Sequence, residues 1–378
     1  MKKHTLALVL CVAMLLSLLT ACEVDVTINT TTTTADGTAT TTTTTKFSGT
    51  TMTFAQGPNN TTKPTASATT KPKPTKPKPT EVNGIKVPPA AYEAGAVKLA
   101  FQDEFDSMAT FDFNGQGQPG KNWYIDSDLN KSQPTTKDYK ILAERDGAKG
   151  VFALEPKTAK TFDFGTYSRK GKTGYLWHFG YAECRMRFNV ENVPKTESLG
   201  GLREGWHSFW ARDIRDYLHT GWEHSVELDM MEAWPFQVKY PEKGISFSGA
   251  LHHWVHKSVS GIGKNKDIAA PIAFGDFGGG RNQAYRISSD WHTYAVLWTE
   301  NYAAWYMDDK FLHAVEFGED KLPTYYIGDE KRQAVETADI FPGVFSVLNT
   351  QQMVITVGGG DTTWPQYVDF VRVWEFDN

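Results

Sequence analysis

The most constraining feature of this chain is a short apolar run that carries three acidic residues. Residues 226–232 read Val-Glu-Leu-Asp-Met-Met-Glu. Acidic side chains are rarely buried unless they are paired, so three of them within one predicted strand need a shared polar face. Side chains two positions apart lie on the same face of a strand, which places Glu227 beside Asp229. Glu232 would point the other way in a regular strand, but a β-bulge around residues 230 and 231 turns it to the same face.

Aromatic side chains crowd both flanks of this acidic run. They are Trp206, Phe209, Trp210, Tyr217 and Trp222 before it, and Trp234, Phe236 and Trp254 after it. Aromatic rings beside carboxylates are typical of sites that bind sugar rings through their apolar C–H faces. Such an acidic cluster suits glycosidic bond cleavage, which needs one nucleophile or base and one proton donor. Spacing alone leaves two alternatives open, namely a solvated acidic face and a calcium site built from the same acids.

The N-terminus has the features of a processing segment rather than of the fold. Lys2 and Lys3 precede an apolar stretch that ends in Leu-Thr-Ala-Cys at Cys22. About 14 apolar residues are too few for a transmembrane helix, which needs roughly 20. A basic flank, a short apolar core and small residues before the cut are typical of a secretory signal. The cysteine resembles that of the bacterial lipobox, which implies that residues 1–21 are removed and that lipidated Cys22 anchors the protein at the extracellular face of the cytoplasmic membrane.

Composition divides the rest of the chain into a linker and one large domain. Residues 22–84 are rich in Thr, Pro and Lys, and they cannot bury enough apolar area to offset the entropy of ordering. We therefore expect a disordered, extended stalk there. Residues 85–378 are long enough for a single β-domain, which we expect to be monomeric. Their 31 basic and 40 acidic residues give a net charge of −9, which argues against a nucleic-acid partner.

Short alternating segments run through this domain and are separated by turn signals, which include Asp308-Asp309 and Gly278-Gly279-Gly280. The predicted strands are 151–155, 180–188, 225–231, 246–251, 291–298, 303–307, 352–357 and 368–376. This pattern is typical of an all-β, two-sheet antiparallel sandwich, or jelly roll, with a concave face that can hold a polymer. Alternation places Cys184 on the apolar side of its strand, so we predict a core residue rather than a reactive thiol.

Five segments, taken in order, resemble glycoside hydrolase family 16. Residues 227–232 resemble the bulged E-x-D-x-x-E signature of its laminarinase-like branch and do not match the unbulged E-x-D-x-E form. The other segments are residues 101–105, 180–188, 291–298 with 305–310, and 368–374. The resemblance covers most of residues 98–376 and implies a concanavalin-like jelly roll that hydrolyses a polysaccharide with retention of anomeric configuration.

The resemblance also implies roles for the acidic residues. Glu227 becomes the nucleophile and Glu232 the general acid/base, with Asp229 between them as a hydrogen-bond partner that tunes the pair. Retaining hydrolysis places the two catalytic carboxyls about 5–5.5 Å apart. A histidine on the next strand faces these acids in laminarinase-like members. His252 and His253 both fit that position, and we favour His252.

Two cleft-lining residues follow from the same resemblance, and Trp234 is a further candidate because it directly follows the acids. Residues 206–210 resemble the family's W-P-A-x-W segment, and alternation places Trp206 and Trp210 on one face. The predicted substrate-binding residues are Trp206, Trp210, Trp234, Trp254 and Arg203. A charged stretch departs from the family pattern, and we interpret it as an elongated loop that shapes substrate choice. It contains Arg203, Arg212, Asp213, Arg215 and Asp216.

Many members of the family bind a structural calcium ion on the convex side. Asp369 matches the side-chain ligand of that site and Glu104 is a possible partner, although surface ion pairing explains both residues equally well. The resemblance implies no cofactor for catalysis.

The sequence therefore predicts an endo-acting hydrolase of β-1,3- or mixed β-1,3/1,4-glucan. A hydrolase of galactans such as agarose, porphyran or carrageenan is an alternative, as is a glucan transglycosylase of the same fold. A non-catalytic, lectin-like glycan-binding lipoprotein is the alternative from a different functional class.

Overall fold

The structure, a computed structural model, describes part of the chain. The described residues are 26–33, 40–47, 80–125, 137–156, 160–190, 206–218, 224–235, 245–255, 266–267, 285–328, 330–337, 340–362 and 364–377. The chain divides into two compact units, Met1–Asn60 and Thr61–Asn378.

The described part of the first unit is an antiparallel hairpin of β1 (Val26–Thr33) and β2 (Thr40–Phe47). The sequence predicts a disordered stalk over these residues, whereas the structure pairs their threonines across the hairpin. Threonine is β-branched and favours extended backbone, a preference that a low content of core-forming residues does not remove. Cys22 and the signal segment lie outside the described residues, and the boundaries of signal, stalk and domain stay predictions.

Short strands make up most of the second unit. In chain order its elements are β3 (Glu81–Val82), β4 (Ile85–Lys86), α1 (Pro89–Ala94), β5 (Ala96–Asp103), a 3₁₀ turn (Met108–Thr110), β6 (Phe111–Asp112), β7 (Trp123–Tyr124), β8 (Tyr139–Arg145), β9 (Ala148–Leu154), β10 (Lys160–Gly165), β11 (Tyr167–Ser168), β12 (Thr173–Gly174), β13 (Gly180–Phe188), β14 (Trp206–Asp213), α2 (Ile214–Leu218), β15 (His224–Pro235), β16 (Ile245–Val255), β17 (Lys266–Asp267), β18 (Tyr285–Arg286), β19 (His292–Thr299), β20 (Tyr302–Met307), β21 (Lys310–Gly318), β22 (Lys321–Ile327), β23 (Glu330–Gln333), a second 3₁₀ turn (Ser346–Thr350), β24 (Met353–Thr362) and β25 (Gln366–Phe376). No helix among the described residues is both long enough and apolar enough to cross a membrane.

Two large sheets organise these strands. The front sheet has the order β17-β16-β15-β14-β24-β10-β7-β6, with β18 also paired to β16. The back sheet has the order β23-β22-β21-β20-β19-β13-β25-β9-β8, with β5 also paired to β25. Apart from the short parallel pair β6–β7, the described pairings within both sheets are antiparallel. This arrangement is the all-β, jelly-roll sandwich that the alternating segments predict.

The space between the sheets is filled by large apolar side chains. Five tryptophans of this core are at most 1 % exposed, namely Trp123, Trp177, Trp298, Trp305 and Trp364, whereas the equally buried Trp374 packs in a separate cluster. Cys184 is a free, fully buried thiol in the same core, as its position on β13 predicts. Because burial of one large side chain contributes about 1.5–3 kcal/mol, this aromatic core supplies much of the stability that holds the site-bearing sheet in place.

The β20–β21 hairpin closes through the predicted turn at Asp308 and Asp309. Both residues have positive φ, 51° and 62°, as a two-residue type I′ hairpin requires. The Asp308 carboxylate accepts hydrogen bonds from the Thr293 amide at 2.9 Å and from His292 at 2.7 Å. These bonds tie the turn to β19 and fix the register of β20, the strand that carries Trp305.

A buried carboxyl in the back sheet makes the stability of the fold depend on pH. Glu183 is 5 % exposed and accepts a hydrogen bond of 2.9 Å from the indole N–H of Trp374. Burial raises the pKa of Glu183 from 4.5 to about 7. A folded-state pKa above the unfolded one gives stability that is complete below pH 4.5 and is lost as the pH rises through 7.

We therefore expect Glu183→Gln, which keeps the acceptor for Trp374 and cannot ionise, to gain stability relative to the wild type as the pH rises. Over the window from about pH 4.5 to above pH 7, the difference in free energy of unfolding should change by about 3 kcal/mol in favour of the variant. Urea unfolding at several pH values measures this difference. A constant difference across that window would contradict the buried ionisation.

Candidate active site

The acidic strand β15 contains the bulge that its sequence predicts. On β14, Trp210 lies opposite Asp229 while the adjacent Phe209 lies opposite Met231. The pairing with β16 shifts between Asp229 and Glu232 in the same way. One extra residue is therefore accommodated at Met230 and Met231, and the three acids lie on one face of the front sheet.

The opposite face of β15 is apolar. Val226, Leu228, Met230 and Met231 are at most 1 % exposed and belong to the core between the sheets. The bulge thus satisfies two demands at once, because it keeps both methionines in the core and also turns Glu232 out of it.

Of the two candidate histidines, His252 is the one that lies beside the acids. It lies opposite Glu227 on β16, and its Nε2 is 3.1 Å from Oδ2 of Asp229. One polar atom from each of these three side chains lies within 4.8 Å of the other two. His253 faces the other side of the strand, where its Nε2 is 3.0 Å from Nδ1 of His224 and burial lowers its pKa to about 4.

The acids do not ionise independently. Burial raises the pKa of Glu227, and the negative charge of Asp229 raises it further. Burial, Asp229 and Glu227 together hold the pKa of Glu232 well above its usual range, and a hydrogen bond with Asp229 adds to this. Three carboxyls this close cannot all be charged, so the site retains a proton near neutral pH, and the environment favours Glu232 as its carrier.

Arg212 is, with His252, one of two basic residues that favour the charged form of Glu227. It lies opposite Glu227 on β14 and is 4 % exposed. Its guanidinium is 5.1 Å from the ring centroid of Trp210 and 5.0 Å from that of Tyr217. One of its nitrogens lies 3.8 Å from the Asp163 carboxylate. Both Arg212 and His252 lower the pKa of Glu227, in opposition to burial and Asp229.

The prediction of a charged loop between the aromatic segment and the acids is wrong for most of its residues. Arg212 and Asp213 are buried at the end of β14, and Arg215 and Asp216 belong to α2. Arg215 donates to the Asp213 carboxylate at 2.8 Å, which neutralises that buried acid beside the helix start. The sequence predicts an elongated, charged loop here, but partner charges and aromatic rings allow these residues to be buried in a strand and a helix.

The structure describes the side chains of two of the four predicted cleft tryptophans. Trp210 lies on the acidic face opposite Asp229, and Trp254 stacks on His252 with a centroid distance of 5.8 Å. Trp206 and Trp234 are on β14 and β15, but their side chains lie outside the described residues. Arg203 lies outside them altogether.

Sequence reasoning missed two polar residues at the site and misplaced a third, Arg212. Arg212 continues the alternation that groups Trp206 with Trp210, so the signal for its orientation is present in the chain. Ser208 and Ser248 lie opposite Glu232 on its two sides and are 4 % and 8 % exposed. Their positions depend on strand order and register, which a single sequence does not show.

The two residues proposed for calcium are engaged with arginines. Both Glu104 oxygens accept from Arg372 at 2.7 Å, and Asp369 is ion-paired with Arg185. A guanidinium on each carboxylate does not suit a divalent cation, which prefers several anionic or carbonyl oxygens around it. These residues therefore fit a pair of interstrand ion bridges better than a calcium site, and the calcium hypothesis stays a prediction.

Comparison with known proteins finds a family likeness for one part of the chain. Residues 269–355 match the family model described as glycosyl hydrolases family 16. Over these residues the chain is similar to that family. The matched segment follows the acidic run, so the roles of the acids rest on their geometry and on the signature around them.

Individual proteins that resemble this chain have low sequence identity to it. The glucan endo-1,3-beta-glucosidase A1 of Niallia circulans is 29% identical over 113 residues, a match that spans 29% of this chain and only 13% of that protein. The laminarinase of Flavobacterium sp. UMI-01 is 14% identical, with 74% of this chain and 100% of that chain covered and a TM-score of 0.40. The endo-beta-1,3-glucanase of Pyrococcus furiosus is 18% identical over 74% of this chain and 95% of that one, with a TM-score of 0.41.

The position of Arg212 generates a direct test of the site's electrostatics. In Arg212→Met, we expect the pKa of Glu227 to rise, because a cation that stabilises its charged form has been removed. Glu232 should shift less, since Ser208 and not Arg212 lies opposite it. Carboxyl ¹³C NMR titration, assigned with Glu→Gln variants, measures both, and Arg185→Met in the back sheet is the matched control. An unchanged pKa of Glu227 in Arg212→Met would show that Arg212 does not influence the ionisation of Glu227.

Proposed function

We propose that this chain is a glycosyl hydrolase of family 16, an endo-acting, retaining glycosidase that cleaves internal β-1,3- or mixed β-1,3/1,4-linkages of a glucan. The observation that carries the proposal is the bulge in β15, which gathers Glu227, Asp229 and Glu232 on one polar face. A pair of carboxyls in which one holds a proton and the other does not is the chemical requirement for such cleavage.

Each carboxyl has a distinct task in the first step of the proposed reaction. The Glu227 carboxylate attacks the anomeric carbon, and the bond from that carbon to the leaving oxygen breaks. Glu232 gives its proton to that oxygen, so the departing sugar leaves as a neutral alcohol. The product on the protein is a glycosyl ester of Glu227.

The second step uses the same residues in reverse roles. Esterified Glu227 carries no charge, and its charge is one of the causes that raise the pKa of Glu232. The pKa of Glu232 therefore falls once the ester forms, which suits its action as a base toward water. Water attacks the anomeric carbon, its proton passes to Glu232, and Glu227 is released with the configuration retained.

Asp229 and His252 support this pair. Asp229 is 1 % exposed, lies next to both glutamates in the strand and contacts His252. Its charge raises the pKa of Glu232, and the cationic form of His252 limits that effect on both glutamates. The two residues thus tune which carboxyl holds the proton, and neither needs to bond covalently to the sugar.

Charge and aromatic content support a neutral polysaccharide as substrate. Residues 85–378 carry a net charge of −9, which disfavours sulfated galactans. The curated relative is named a glucan endo-1,3-beta-glucosidase, which makes a β-glucan the leading candidate. Galactan hydrolysis, transglycosylation and lectin-like binding use the same fold and are the outcomes against which the proposal is tested.

We also propose that the enzyme works at the cell surface. The apolar segment before Cys22 and the lipobox-like residues support cleavage and lipidation at that cysteine. The Thr-, Pro- and Lys-rich segment that follows would hold the β-domain away from the membrane. Metabolic labelling with a palmitate analogue, lost in Cys22→Ala, tests the anchor.

A substrate panel tests the proposed reaction. The purified full-length chain is incubated with laminarin, lichenan, barley β-glucan, xyloglucan, agarose, porphyran and carrageenan, and reducing ends are measured. Release of reducing ends from laminarin or the mixed-linkage glucans supports the proposal. Release from the galactans alone would show that the substrate is a galactan and not a glucan. Longer products without new reducing ends indicate transglycosylation. Retardation in an affinity gel without any turnover indicates a binding protein.

Removing the nucleophile should stop turnover and allow chemical rescue. We expect Glu227→Ala to lower kcat on the polymer by at least about 1,000-fold. Sodium azide, acting in the space left by the carboxylate, should restore cleavage of an activated β-glycoside and give an α-glycosyl azide, which ¹H NMR identifies. A β-glycosyl azide would instead place the nucleophile elsewhere.

Removing the acid should affect substrates according to their leaving group. We expect Glu232→Ala to lower turnover of the natural polymer by about 10²–10⁴-fold, the usual range for general acid catalysis. The burst of dinitrophenol from an activated aryl glycoside should fall much less, because that leaving group needs no proton. Near-normal activity of Glu232→Ala on the polymer would refute the acid/base assignment.

A further inference from the structure

A tryptophan from the back sheet reaches the backbone of the acidic strand. Trp305 lies on β20, and its side chain is completely buried in the core between the sheets. Its indole N–H donates a hydrogen bond of 2.8 Å to the carbonyl oxygen of Asp229. Carbonyls in a regular antiparallel ladder point along the sheet toward a neighbouring strand. The Asp229 carbonyl instead accepts a bond from the opposite sheet, at the residue where the bulge begins.

The strand beside the bulge is shaped to admit this indole. Gly249 lies on β16 between Ala250, which is opposite Asp229, and Ser248, which is opposite Glu232. A Cβ at position 249 would lie 2.2 Å from Cδ1 of Trp305 and 2.4 Å from its Nε1. These separations are far inside van der Waals contact, so the indole can occupy this position only because residue 249 has no side chain.

A neutral histidine holds the same indole in place. The ring of His313 on β21 stacks on Trp305 with a centroid distance of 4.5 Å and an interplanar angle of 17°. Burial lowers the pKa of His313 to about 3, so the ring carries no charge in the core at neutral pH. Its Nδ1 lies 3.4 Å from the Tyr285 hydroxyl, and it is hydrogen-bonded to the backbone of Gly249.

We propose that Trp305 is a positioning residue that fixes the bulge of β15 and thereby sets Glu232 in place relative to Glu227. The inference rests on the proposed glycosidase function for its kinetic consequences. A bulge can be accommodated at more than one residue of a strand, and a shift by one residue turns every side chain beyond it to the other face. The bond from Trp305 ties the bulge to Asp229, so that Glu227 and Asp229 before it and Glu232 after it share one face.

Trp305→Phe tests the bond, because it keeps an aromatic ring and removes the N–H donor. We expect kcat on the glucan polymer to fall by about 10- to 100-fold with little change in KM, the effect expected when a catalytic group is displaced by about 1 Å. The burst of dinitrophenol from an activated aryl glycoside should fall by less than about threefold, because that step does not need Glu232 as an acid.

Trp298→Phe is the matched control for lost packing. Trp298 is also completely buried, lies on the adjacent strand β19, and its indole N–H has no hydrogen-bond acceptor among the described residues. Both variants should lose thermal stability, but only Trp305→Phe should separate polymer turnover from aryl glycoside turnover. An equal loss on both substrates, or a loss of stability alone, would overturn the proposal.

A second readout separates this inference from the proposed function. Carboxyl ¹³C NMR titration of Glu232 needs no substrate, and its midpoint should move in Trp305→Phe and stay in Trp298→Phe. If the wild type hydrolyses no glycan while the midpoint still moves in Trp305→Phe, the proposed function fails and the positioning role stands. If the wild type is active and the midpoint does not move, the positioning role fails.

A more conservative replacement covers the case in which Trp305→Phe does not fold. Benzothienylalanine, introduced at position 305 by nonsense suppression, keeps the bicyclic shape and replaces the N–H by sulfur. The same kinetic split and the same shift of the Glu232 titration are expected of it. Wild-type values in this variant would show that the hydrogen bond has no positioning role.

Discussion

One additional residue in a buried strand determines the chemistry of this protein. Without the bulge at Met230 and Met231, the alternation of β15 would send Glu232 into the core and a methionine into the solvent-facing site. Both outcomes are costly, since an unpaired buried carboxyl loses its hydration and an exposed methionine loses its packing. The apolar core and the acidic face therefore demand the same backbone irregularity, which explains why a single local distortion is stable.

The consequences of that distortion extend through both sheets. The front sheet places Arg212 and His252 on either side of Glu227, so a guanidinium and an imidazole flank one carboxyl. Serines flank Glu232 instead. This asymmetry of neighbours acts on two chemically identical side chains, both with a raised pKa, and makes Glu227 the more readily ionised of the two. The roles follow from the strand order, because each carboxyl takes its character from the residue opposite it.

Much of the fold could be predicted from the chain because short-range pattern determines it. The bulge, the turn at Asp308 and Asp309 and the buried Cys184 all follow from alternation or turn chemistry within a few residues. The prediction of a loop around Arg212 is wrong because the charge of a stretch does not reveal whether it is buried. The contacts of Arg212 with Asp163 and with two aromatic rings make its burial possible, and they depend on the folded arrangement of the strands. Trp305 illustrates the same limit, because only the packing of the two sheets reveals that its N–H reaches Asp229.

The bond between Trp305 and Asp229 has a consequence for how the protein responds to heat. The bond links the front sheet to the back sheet, so its length depends on the distance between the two sheets. The packing of core side chains maintains that distance. Warming expands such a core slightly before any strand melts, and a hydrogen bond weakens steeply once it is stretched or bent. With Trp305 in the proposed positioning role, the geometry of the acid pair depends on the packing of the whole sandwich. We therefore expect the site to lose its geometry at a lower temperature than the one at which the chain unfolds.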